Sequence, residues 1–369
     1  MIEGTHYLPV STVQQFMIDV FTALGVPAED ARTASDVLIA ADLRGIKSHG
    51  IGRLKYYYDR IRRGQHQPVT RFEVVRESPT TALIDGHHGM GHVIGVKAMQ
   101  MAIDKARVYG LGAVAVRNST HFGIAGYYPL MAVQAGMAGL CFTNARPAIA
   151  PTFATFPMLG TNPIAFGAPT DDDTCPFLFD GATSIVQRGT YEVLAREERP
   201  GQPGWAIDQD GNDITDANQL LDGLDNGNAA LLPLGGAGES HGGYKGYDLA
   251  TMVEIFSSAF QTGAFMYGLI GFDAQGNRVP YRVGHFFTAI NIEAFVPLAE
   301  FKRTTGEIAR QLRAARKAPG HDRIYIAGEK EAESIARVMA QGIPIVPNLQ
   351  AEIKIMQQEL GLWQHSFPF

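Results

Sequence analysis

The stretch Ala113-Val114-Ala115-Val116-Arg117-Asn118-Ser119-Thr120-His121-Phe122-Gly123 decides the fold. Its first four residues are small or β-branched, and they predict a buried strand that ends in a polar turn. Other short apolar runs bounded by glycine predict further buried strands at residues 81–84, 139–142 and 163–166. Apolar residues at helical spacing over 92–109 and 125–135 separate the first three runs. Strands that alternate with helices in this way indicate an α/β core.

Predicted helices flank this core on both sides. Helical spacing of apolar residues predicts them at residues 11–25, 27–45, 247–260 and beyond residue 298. At the first of these, Ser11 and Gln14 form a capping-box pattern. Residues 199–227 are rich in Gly, Asp, Asn and Pro, so we expect a surface excursion there.

Composition excludes several classes of protein. Of 369 residues, 46% are hydrophobic and 18% are charged, as in a globular rather than a disordered chain. The net charge is −6, and no basic stripe indicates nucleic-acid binding. Cys141 and Cys175 are too few for a disulfide framework. Because the sequence also lacks a signal-like N-terminus and a run of about 18 apolar residues, we expect a cytoplasmic protein that binds neither nucleic acid nor membrane.

A glycine-rich turn at Gly89–Gly95 follows a predicted strand and opens a predicted helix, as a dinucleotide-binding turn does. Its spacing is one residue longer than the common fingerprint. The next strand ends in Arg117-Asn118 rather than in the acidic residue that binds ribose hydroxyls. We therefore interpret this turn as a plain connection between strand and helix.

Two polar segments are candidates for chemistry. Residues 44–53 (RGIKSHGIGR) bring guanidinium, hydroxyl and imidazole groups together, which suits carboxylate binding and equally suits a solvated helix end. Residues 47–65 as a whole are dense in Arg, His and Tyr, so this segment is a site candidate. After the buried strand, His121 is either a proton donor and acceptor or a structural histidine of the turn.

Three further turns combine glycine with polar side chains, at residues 160–163, 180–184 and 242–247. Main-chain donors in such turns can hold ribose and phosphate groups, although each pattern also occurs in ordinary connections. The third turn places Lys245 just ahead of a predicted helix. His87, His88 and His92 lack a carboxylate or cysteine at ligand spacing, so we predict no metal site.

Taken in order, seven segments resemble the malate/L-lactate dehydrogenase family of nicotinamide-dependent 2-oxo acid reductases. They are RGIKSHGIGR (44–53), RNSTHFGIAGY (117–127), LGTNPIAFGAP (159–169), DGATS (180–184), WAIDQDGNDITD (205–216), KGY (245–247) and GHFF (284–287). Together they cover the chain nearly end to end. This family also includes sulfolactate, ureidoglycolate and diketogulonate enzymes, and it is distinct from the Rossmann-type malate and lactate dehydrogenases.

The resemblance implies roles for the residues at the substrate. It makes His121 the general acid and base that exchanges a proton with the substrate oxygen. It makes Arg53 the ligand of the C1 carboxylate, with Ser48 and His49 orienting the substrate and Arg44 supporting them.

The resemblance also implies contacts with a nicotinamide cofactor, expected to be NAD with NADP as the alternative. The residues implied there are Thr161, Asn162, Asp180, Gly181, Ala182, Thr183, Lys245, Gly328 and Glu329. The family's late Pro-Gly-acid turn reads Ala327-Gly328-Glu329 in this chain, without the proline. We further expect Arg146 or Lys47 to pair with a second substrate carboxylate, which would favour oxaloacetate over pyruvate.

The implied fold is an α/β, non-Rossmann, sulfolactate-dehydrogenase-like fold. A mixed, largely antiparallel sheet lies in a cofactor domain inserted between helical N- and C-terminal segments. We expect residues 1–127 with 300–369 to form a substrate-binding and dimerisation domain, residues 128–299 to form the cofactor domain, and the chain to form a homodimer. The expected substrates are malate and oxaloacetate, with L-lactate, sulfolactate and ureidoglycolate as alternatives. A non-catalytic small-anion-binding protein on this fold is the alternative from another class.

Overall fold

The short apolar runs of the sequence form the centre of one sheet in the computed structural model, which describes residues 2–369. The strands are β1 (His6–Leu8), β2 (Glu73–Glu77), β3 (Thr81–Asp85), β4 (Leu111–Ser119), β5 (Met137–Thr143), β6 (Ile164–Ala168), β7 (Phe177–Gly181), β8 (Ala206–Asp208), β9 (Ala229–Leu231), β10 (Val283–Asn291) and β11 (Ile343–Ile345). The predicted buried strands are confirmed as β3, β4, β5 and β6.

Some helices connect the strands of the sheet, and others form the N- and C-terminal parts of the chain. They are α1 (Val10–Ala23), α2 (Ala28–Leu43), α3 (Leu54–Arg62), α4 (Gly91–Tyr109), α5 (Tyr127–Gln134), α6 (Arg188–Arg196), α7 (Ala217–Asn226), α8 (Gly243–Ser258), α9 (Leu298–Ala314), α10 (Glu329–Gln341) and α11 (Pro347–Leu360). No helix within residues 2–369 combines the length and the apolar character needed to cross a membrane.

The main sheet is mixed. Within residues 2–369 it has seven strands in the order β2-β3-β4-β10-β5-β6-β7. The pair β3 and β4 is parallel, and the other neighbours are antiparallel. Because a Rossmann sheet is mostly parallel, this topology confirms the predicted non-Rossmann α/β class.

Strand β10 lies at the centre and determines where the polar turns meet. His285 on β10 is opposite Val116 on β4 and opposite Thr143 on β5, and both pairings are antiparallel. The strands β4 and β5 therefore run in the same direction, and their carboxyl ends share one edge of the sheet. A side chain at Gly284 would place its Cβ 1.7 Å from the Ser257 carbonyl oxygen, so glycine lets α8 pack directly on β10.

The turn at residues 89–95 is structural, as predicted. The Gly91 N–H donates to Thr120 Oγ1 at 2.9 Å. A Cβ at Gly91 would lie 2.2 Å from the Thr120 carbonyl oxygen. The start of α4 therefore packs against the backbone after β4 and leaves no space for a dinucleotide. This contact supports the segment that carries His121.

The N- and C-terminal segments pack together, as expected. Strand β1 pairs antiparallel with β11, and Phe16 and Leu38 share one apolar cluster with Ile353. The capping-box prediction is wrong, because Pro9 is the N-cap of α1 and no side chain caps it. Ser11 lies inside the first helical turn, where its hydroxyl is not at the N-cap position.

The hydrogen-bonded sheet crosses the expected domain boundary at residue 127. Strands β2, β3 and β4 precede that residue, yet β4 pairs directly with β10. The division into two domains stays a prediction. What the sheet establishes is that both expected parts contribute strands to it.

The segment 199–227 is a folded lobe rather than a plain excursion. Strands β8 and β9 pair antiparallel, and Leu220 on α7 packs with Tyr191 on α6 and Leu231 on β9. The Asp216 carboxylate caps α7 by accepting from the Gln219 N–H at 2.7 Å. This lobe holds α6 beside the carboxyl ends of β4 and β5.

Candidate active site

A cavity of about 410 Å³ lies at the carboxyl ends of β4 and β5. Its walls come from the segments after these two strands, from α3 and the turn before it, from the start of α6, and from β7. The predicted site residues in its lining are His49, Arg53, His121, Arg146, Thr161 and Asp180. Residues far apart in the sequence thus meet at one enclosed place, and the candidate segment 47–65 supplies one wall.

His121 has one ring nitrogen held by the protein and one left over. Its Nδ1 lies 2.6 Å from the Tyr57 hydroxyl oxygen and 3.4 Å from the Gly123 amide nitrogen. Its Nε2 makes no hydrogen bond with residues 2–369, and the ring lines the cavity. Burial lowers the pKa of His121 well below its ordinary value, and the nearby His49 and Arg53 lower it further. The ring is therefore a neutral imidazole that presents Nε2 to the cavity.

His49 lies against His121, with ring centroids 5.4 Å apart. Its Nδ1 is 2.8 Å from Ser48 Oγ. Burial lowers the pKa of His49 to about 3, with Arg53 as the next cause, so this ring is also neutral near pH 7. Ser48 itself lies behind His49 and is bound to it rather than lining the cavity.

Arg53 is buried and held by two contacts. Its Nε donates to the Ser48 carbonyl oxygen at 3.1 Å, and its terminal nitrogen lies 2.8 Å from Glu192 Oε2. Burial alone would raise the pKa of Glu192, but Arg53, Arg188 and Arg196 outweigh it and lower that pKa. Glu192 stays ionised and fixes the guanidinium at the cavity wall.

Three predicted substrate residues have positions that change their interpretation. Lys47 is absent from the cavity lining and pairs at 2.8 Å with Glu197, with 57% of its side chain exposed. Arg146 lines the cavity, but it is paired at 3.1 Å with Asp225. Arg44 lines a second cavity instead. The structure therefore does not bring Lys47 and Arg44 to His121.

The second cavity also measures about 410 Å³ and adjoins the first. Its lining includes Arg44, Thr170, Leu178 and Gly328, and Glu331 lines both cavities. Strand β7 contributes to both linings, with Leu178 in the second cavity and Asp180 in the first. The two spaces thus form a pair along one strand.

Asp180 is the predicted cofactor residue with the clearest access to the cavity. Its Oδ2 accepts the Gly126 N–H at 2.7 Å. Desolvation by the cavity walls raises the pKa of Asp180 to about 6. Gly181 and Ala182 follow it at the end of β7.

Other predicted cofactor residues have side chains engaged elsewhere. The buried Asn162 amide donates to Ala250 and Glu254, and the Thr183 hydroxyl donates to the carbonyl oxygens of Thr161 and Asn162. Glu329 pairs at 2.6 Å with Arg313. These groups shape the loops of the site, and any contact they make with a cofactor has to come from the main chain.

Lys245 lies inside the first turn of α8, not ahead of the helix as predicted. Its Nζ is 5.7 Å from the Tyr244 ring centroid, and Lys245 lines neither cavity. The helix starts earlier because Gly242, with φ of 79°, turns the chain into it.

Several site residues escaped the prediction. Glu192, Tyr57, Arg60 and Tyr281 all contact predicted residues or line the cavity. The Arg/His/Tyr-rich texture of residues 47–65 indicates Tyr57 and Arg60 as a group. No comparable signal marks Glu192 or Tyr281, which lie in polar stretches far along the chain. Within residues 2–369, no three His, Cys, Asp or Glu side chains cluster as a metal site.

A neutral imidazole beside a buried guanidinium, enclosed on a mixed α/β sheet, defines the class: an enzyme suited to exchange protons with a small organic anion. The family model described as malate/L-lactate dehydrogenase matches residues 8–354. The chain therefore belongs to the malate/L-lactate dehydrogenase family and is an oxidoreductase. Membership in this family implies a nicotinamide cofactor.

Individual relatives agree with this assignment. The chain is 43% identical to a malate dehydrogenase of Pyrococcus horikoshii, over 96% of each chain. It is 38% identical to an L-sulfolactate dehydrogenase of Methanocaldococcus jannaschii, over 95% of this chain and 96% of the relative. The crystal structure of a malate dehydrogenase from Entamoeba histolytica superposes with a TM-score of 0.94 at 44% identity, and it covers 99% of this chain and 100% of that one.

Proposed function

We propose that this enzyme interconverts malate and oxaloacetate with NAD as the hydride carrier, and that His121 transfers the proton. The observation that carries the proposal is the free Nε2 of His121 in a cavity that also holds the buried guanidinium of Arg53. The two relatives that are 43% and 44% identical and named malate dehydrogenases support malate as the first substrate to test.

The residues present fit a dinucleotide. Two adjoining cavities of about 410 Å³ each offer space for its two halves, and Asp180 at the end of β7 offers carboxylate oxygens to ribose hydroxyls. Arg44 in the second cavity is a cation suited to phosphate. We therefore assign Arg44 to the cofactor rather than to the substrate. When bound, the nicotinamide ring supplies or accepts the hydride.

The protein's own residues hold the substrate and move the proton. Arg53 binds the C1 carboxylate with the donors that Glu192 and Ser48 leave free. In the reductive direction, His121 Nε2 donates a proton to the carbonyl oxygen, and in the oxidative direction it accepts the hydroxyl proton. Nδ1 keeps its proton and donates it to the Tyr57 hydroxyl oxygen in both forms, so that Nε2 is unprotonated in the neutral ring and protonated in the charged ring. His49, fixed by Ser48, bounds the same space and orients the substrate oxygen.

We also propose a homodimer in the cytoplasm. The outer face of α8 exposes Leu249, Met252, Ile255 and, just beyond its end, Phe260. An apolar helix face of this kind suits contact with a second copy. Both cysteines are free thiols, which suits a reducing compartment. Sedimentation of the purified protein tests the dimer.

The proposed reaction is tested by following reduced-nicotinamide absorbance with NADH or NADPH and a panel of 2-oxo acids. The panel holds oxaloacetate, pyruvate, sulfopyruvate and the ureidoglycolate product. We expect the highest kcat/KM with oxaloacetate and NADH. Preference for another acid would move the substrate to one of the alternatives, and cofactor binding without any turnover would favour a small-anion-binding protein.

Tyr57→Phe tests the positioning of His121. Removing the hydroxyl leaves Nδ1 without its 2.6 Å partner, so we expect kcat to fall about tenfold, the worth of one hydrogen bond. The midpoint of the pH profile should also shift, because the imidazolium loses an acceptor. Tyr58→Phe, one residue along α3 and bonded to Glu359 instead, is the matched control. A fall in kcat without a change in the pH profile would assign Tyr57 a purely structural role.

A further inference from the structure

The cavity holds four arginines, and one of them stands apart. Arg53 pairs with Glu192, Arg146 pairs with Asp225, and Arg188 pairs with both carboxylates. Arg60 lines the same cavity, yet no carboxylate among residues 2–369 lies within ion-pair distance of it. An uncompensated guanidinium in a cavity wall is suited to an anion supplied by a ligand.

Arg60 is held in place without being neutralised. Its guanidinium carbon lies 5.1 Å from the ring centroid of Tyr56 and 5.3 Å from that of Tyr281. One terminal nitrogen donates to Gln65 Oε1 at 2.7 Å, and the buried Gln65 is itself fixed by a bond to the Gly271 carbonyl oxygen. A guanidinium has five N–H donors, so this arrangement leaves donors for a carboxylate in a defined position.

Tyr281 gives a second, independent sign of a ligand. Its side chain is 4% exposed and lines the cavity, and its hydroxyl makes no hydrogen bond of 3.5 Å or less within residues 2–369, although the Tyr56 side chain is near enough to act on it. A buried hydroxyl without a partner is costly to a folded protein. Burial raises the pKa of Tyr281 to about 12, so the hydroxyl keeps its proton and remains a donor.

Tyr56 lies close both to Arg60 and to the residues proposed to bind the substrate and transfer the proton. Its ring centroid is 5.1 Å from the Arg60 guanidinium, 5.5 Å from that of Arg53 and 6.0 Å from the His121 ring. A substrate with one carboxylate on Arg53 can therefore direct its other end towards Arg60 while its reacting carbon stays near His121.

We propose that Arg60 and the Tyr281 hydroxyl bind the distal carboxylate of a four-carbon 2-oxo or 2-hydroxy diacid and so set the preference for diacids over monoacids. This inference rests on the proposed function, whose substrate class it refines. It replaces Arg146 and Lys47, which are paired with Asp225 and Glu197, whereas Arg60 has no carboxylate partner within residues 2–369.

The test compares the wild type with Arg60→Gln on oxaloacetate and on pyruvate, which lacks the distal carboxylate. We expect kcat/KM for oxaloacetate to fall about 100-fold, as for loss of a charge-assisted hydrogen-bond pair. For pyruvate we expect a change within about threefold, because its only carboxylate binds Arg53. Tyr281→Phe should lower kcat/KM for oxaloacetate about tenfold, with pyruvate again little changed.

Arg63→Gln is the matched control, because Arg63 ends the same helix on the exposed surface. It should leave the ratio of the two kcat/KM values unchanged. Equal losses on both substrates in Arg60→Gln would overturn the proposal in favour of a structural role for Arg60. A selective loss in Arg146→Gln in place of Arg60→Gln would overturn it in favour of Arg146.

Calorimetric binding of malate and of lactate separates this inference from the proposed reaction. If the wild type turns over neither 2-oxo acid, the proposed function fails. The Arg60 inference then still stands if malate binds more tightly than lactate and Arg60→Gln removes the difference. Equal binding of malate and lactate by the wild type would overturn the inference, even in an active enzyme.

Discussion

Asparagine in place of His121 is expected to lower kcat for oxaloacetate reduction about 1000-fold. General acid–base catalysis by a placed imidazole contributes about 10²–10⁴ in rate, and asparagine neither donates nor accepts a full proton under these conditions. Steady-state turnover measures the loss. Quenching of the Trp and Tyr fluorescence by the cofactor should be retained, because His121 lies with the substrate groups rather than beside β7.

The control for this variant is His87→Asn. His87 has a φ of 46° and pairs with Glu73 away from the cavity, and asparagine tolerates that backbone conformation. Activity within about twofold of the wild type is expected. If His121→Asn kept more than about a tenth of the wild-type kcat, proton transfer would have to be assigned to another group.

The pH dependence of malate oxidation also tests the role of His121. In the proposed mechanism malate oxidation needs the neutral ring of His121, and burial lowers the pKa of that ring well below its ordinary value. The acidic limb of kcat/KM for malate oxidation should therefore lie well below pH 6.5. An acidic limb centred near pH 6.5 would contradict the buried environment of the ring.

The parts of this structure that can be predicted from sequence are those that depend on neighbours along the chain. Strands β3 to β6 and helices α4 and α5 follow from local hydrophobic spacing. The position of His121 follows from its place directly after a buried strand. Family resemblance added Arg53, His49 and Asp180, and the cavity brings these to one place.

Charge pairing was beyond reach because the partners are distant in sequence. Lys47 meets Glu197, which is 150 positions away, and Arg146 meets Asp225, which is 79 positions away. Both cations look available in the sequence, and both are paired with a carboxylate in the fold. Arg60 shows the reverse, because only the folded structure reveals that no acidic residue reaches it.

Chain topology was the other limit. The central strand β10 comes 142 positions after its neighbour β5 in the register pairing of Thr143 with His285. No local pattern specifies such a pairing, because the sequence of neither strand alone determines the free energy of closing the long loop between them. The folded lobe around α7 escaped prediction for a related reason: its apolar residues pack on α6 and β9 rather than on the main core.

The second large effect that we expect is a steep decrease in the free energy of unfolding at acidic pH. Five histidines are held neutral by burial: the pKa values of His49, His92 and His285 fall to about 3, and those of His66 and His121 fall well below the ordinary value. Unfolding exposes these rings, which then bind protons below pH 6.5. Because the unfolded state binds more protons, the free energy of unfolding decreases as the pH falls through this range.

Several carboxyls whose pKa is raised by burial oppose the trend, among them Glu254 and Glu352. Burial raises the pKa of Asp42 to about 7, so between pH 4 and 7 the folded state holds a proton there that the unfolded state releases. Asp180 acts in the same direction, but its exposure to the cavity weakens the effect. The carboxyls whose pKa the fold lowers, among them Glu192 and Asp225, act in the same direction as the histidines. We therefore expect a positive slope of the free energy of unfolding against pH, and a loss between pH 6.5 and about 4 that is a large part of a typical stability of about 10 kcal/mol.

Urea denaturation at a series of pH values measures this slope, and two variants assign it. His92 is fully buried and both its ring nitrogens lack partners, so His92→Phe keeps a ring against Tyr57, 4.6 Å away, and removes one titrating group. We expect the slope to decrease by about 1.4 kcal/mol per pH unit. His241→Ala on the exposed surface should leave it unchanged. Equal stability at pH 7 and pH 5 would contradict the expected net uptake of protons on unfolding.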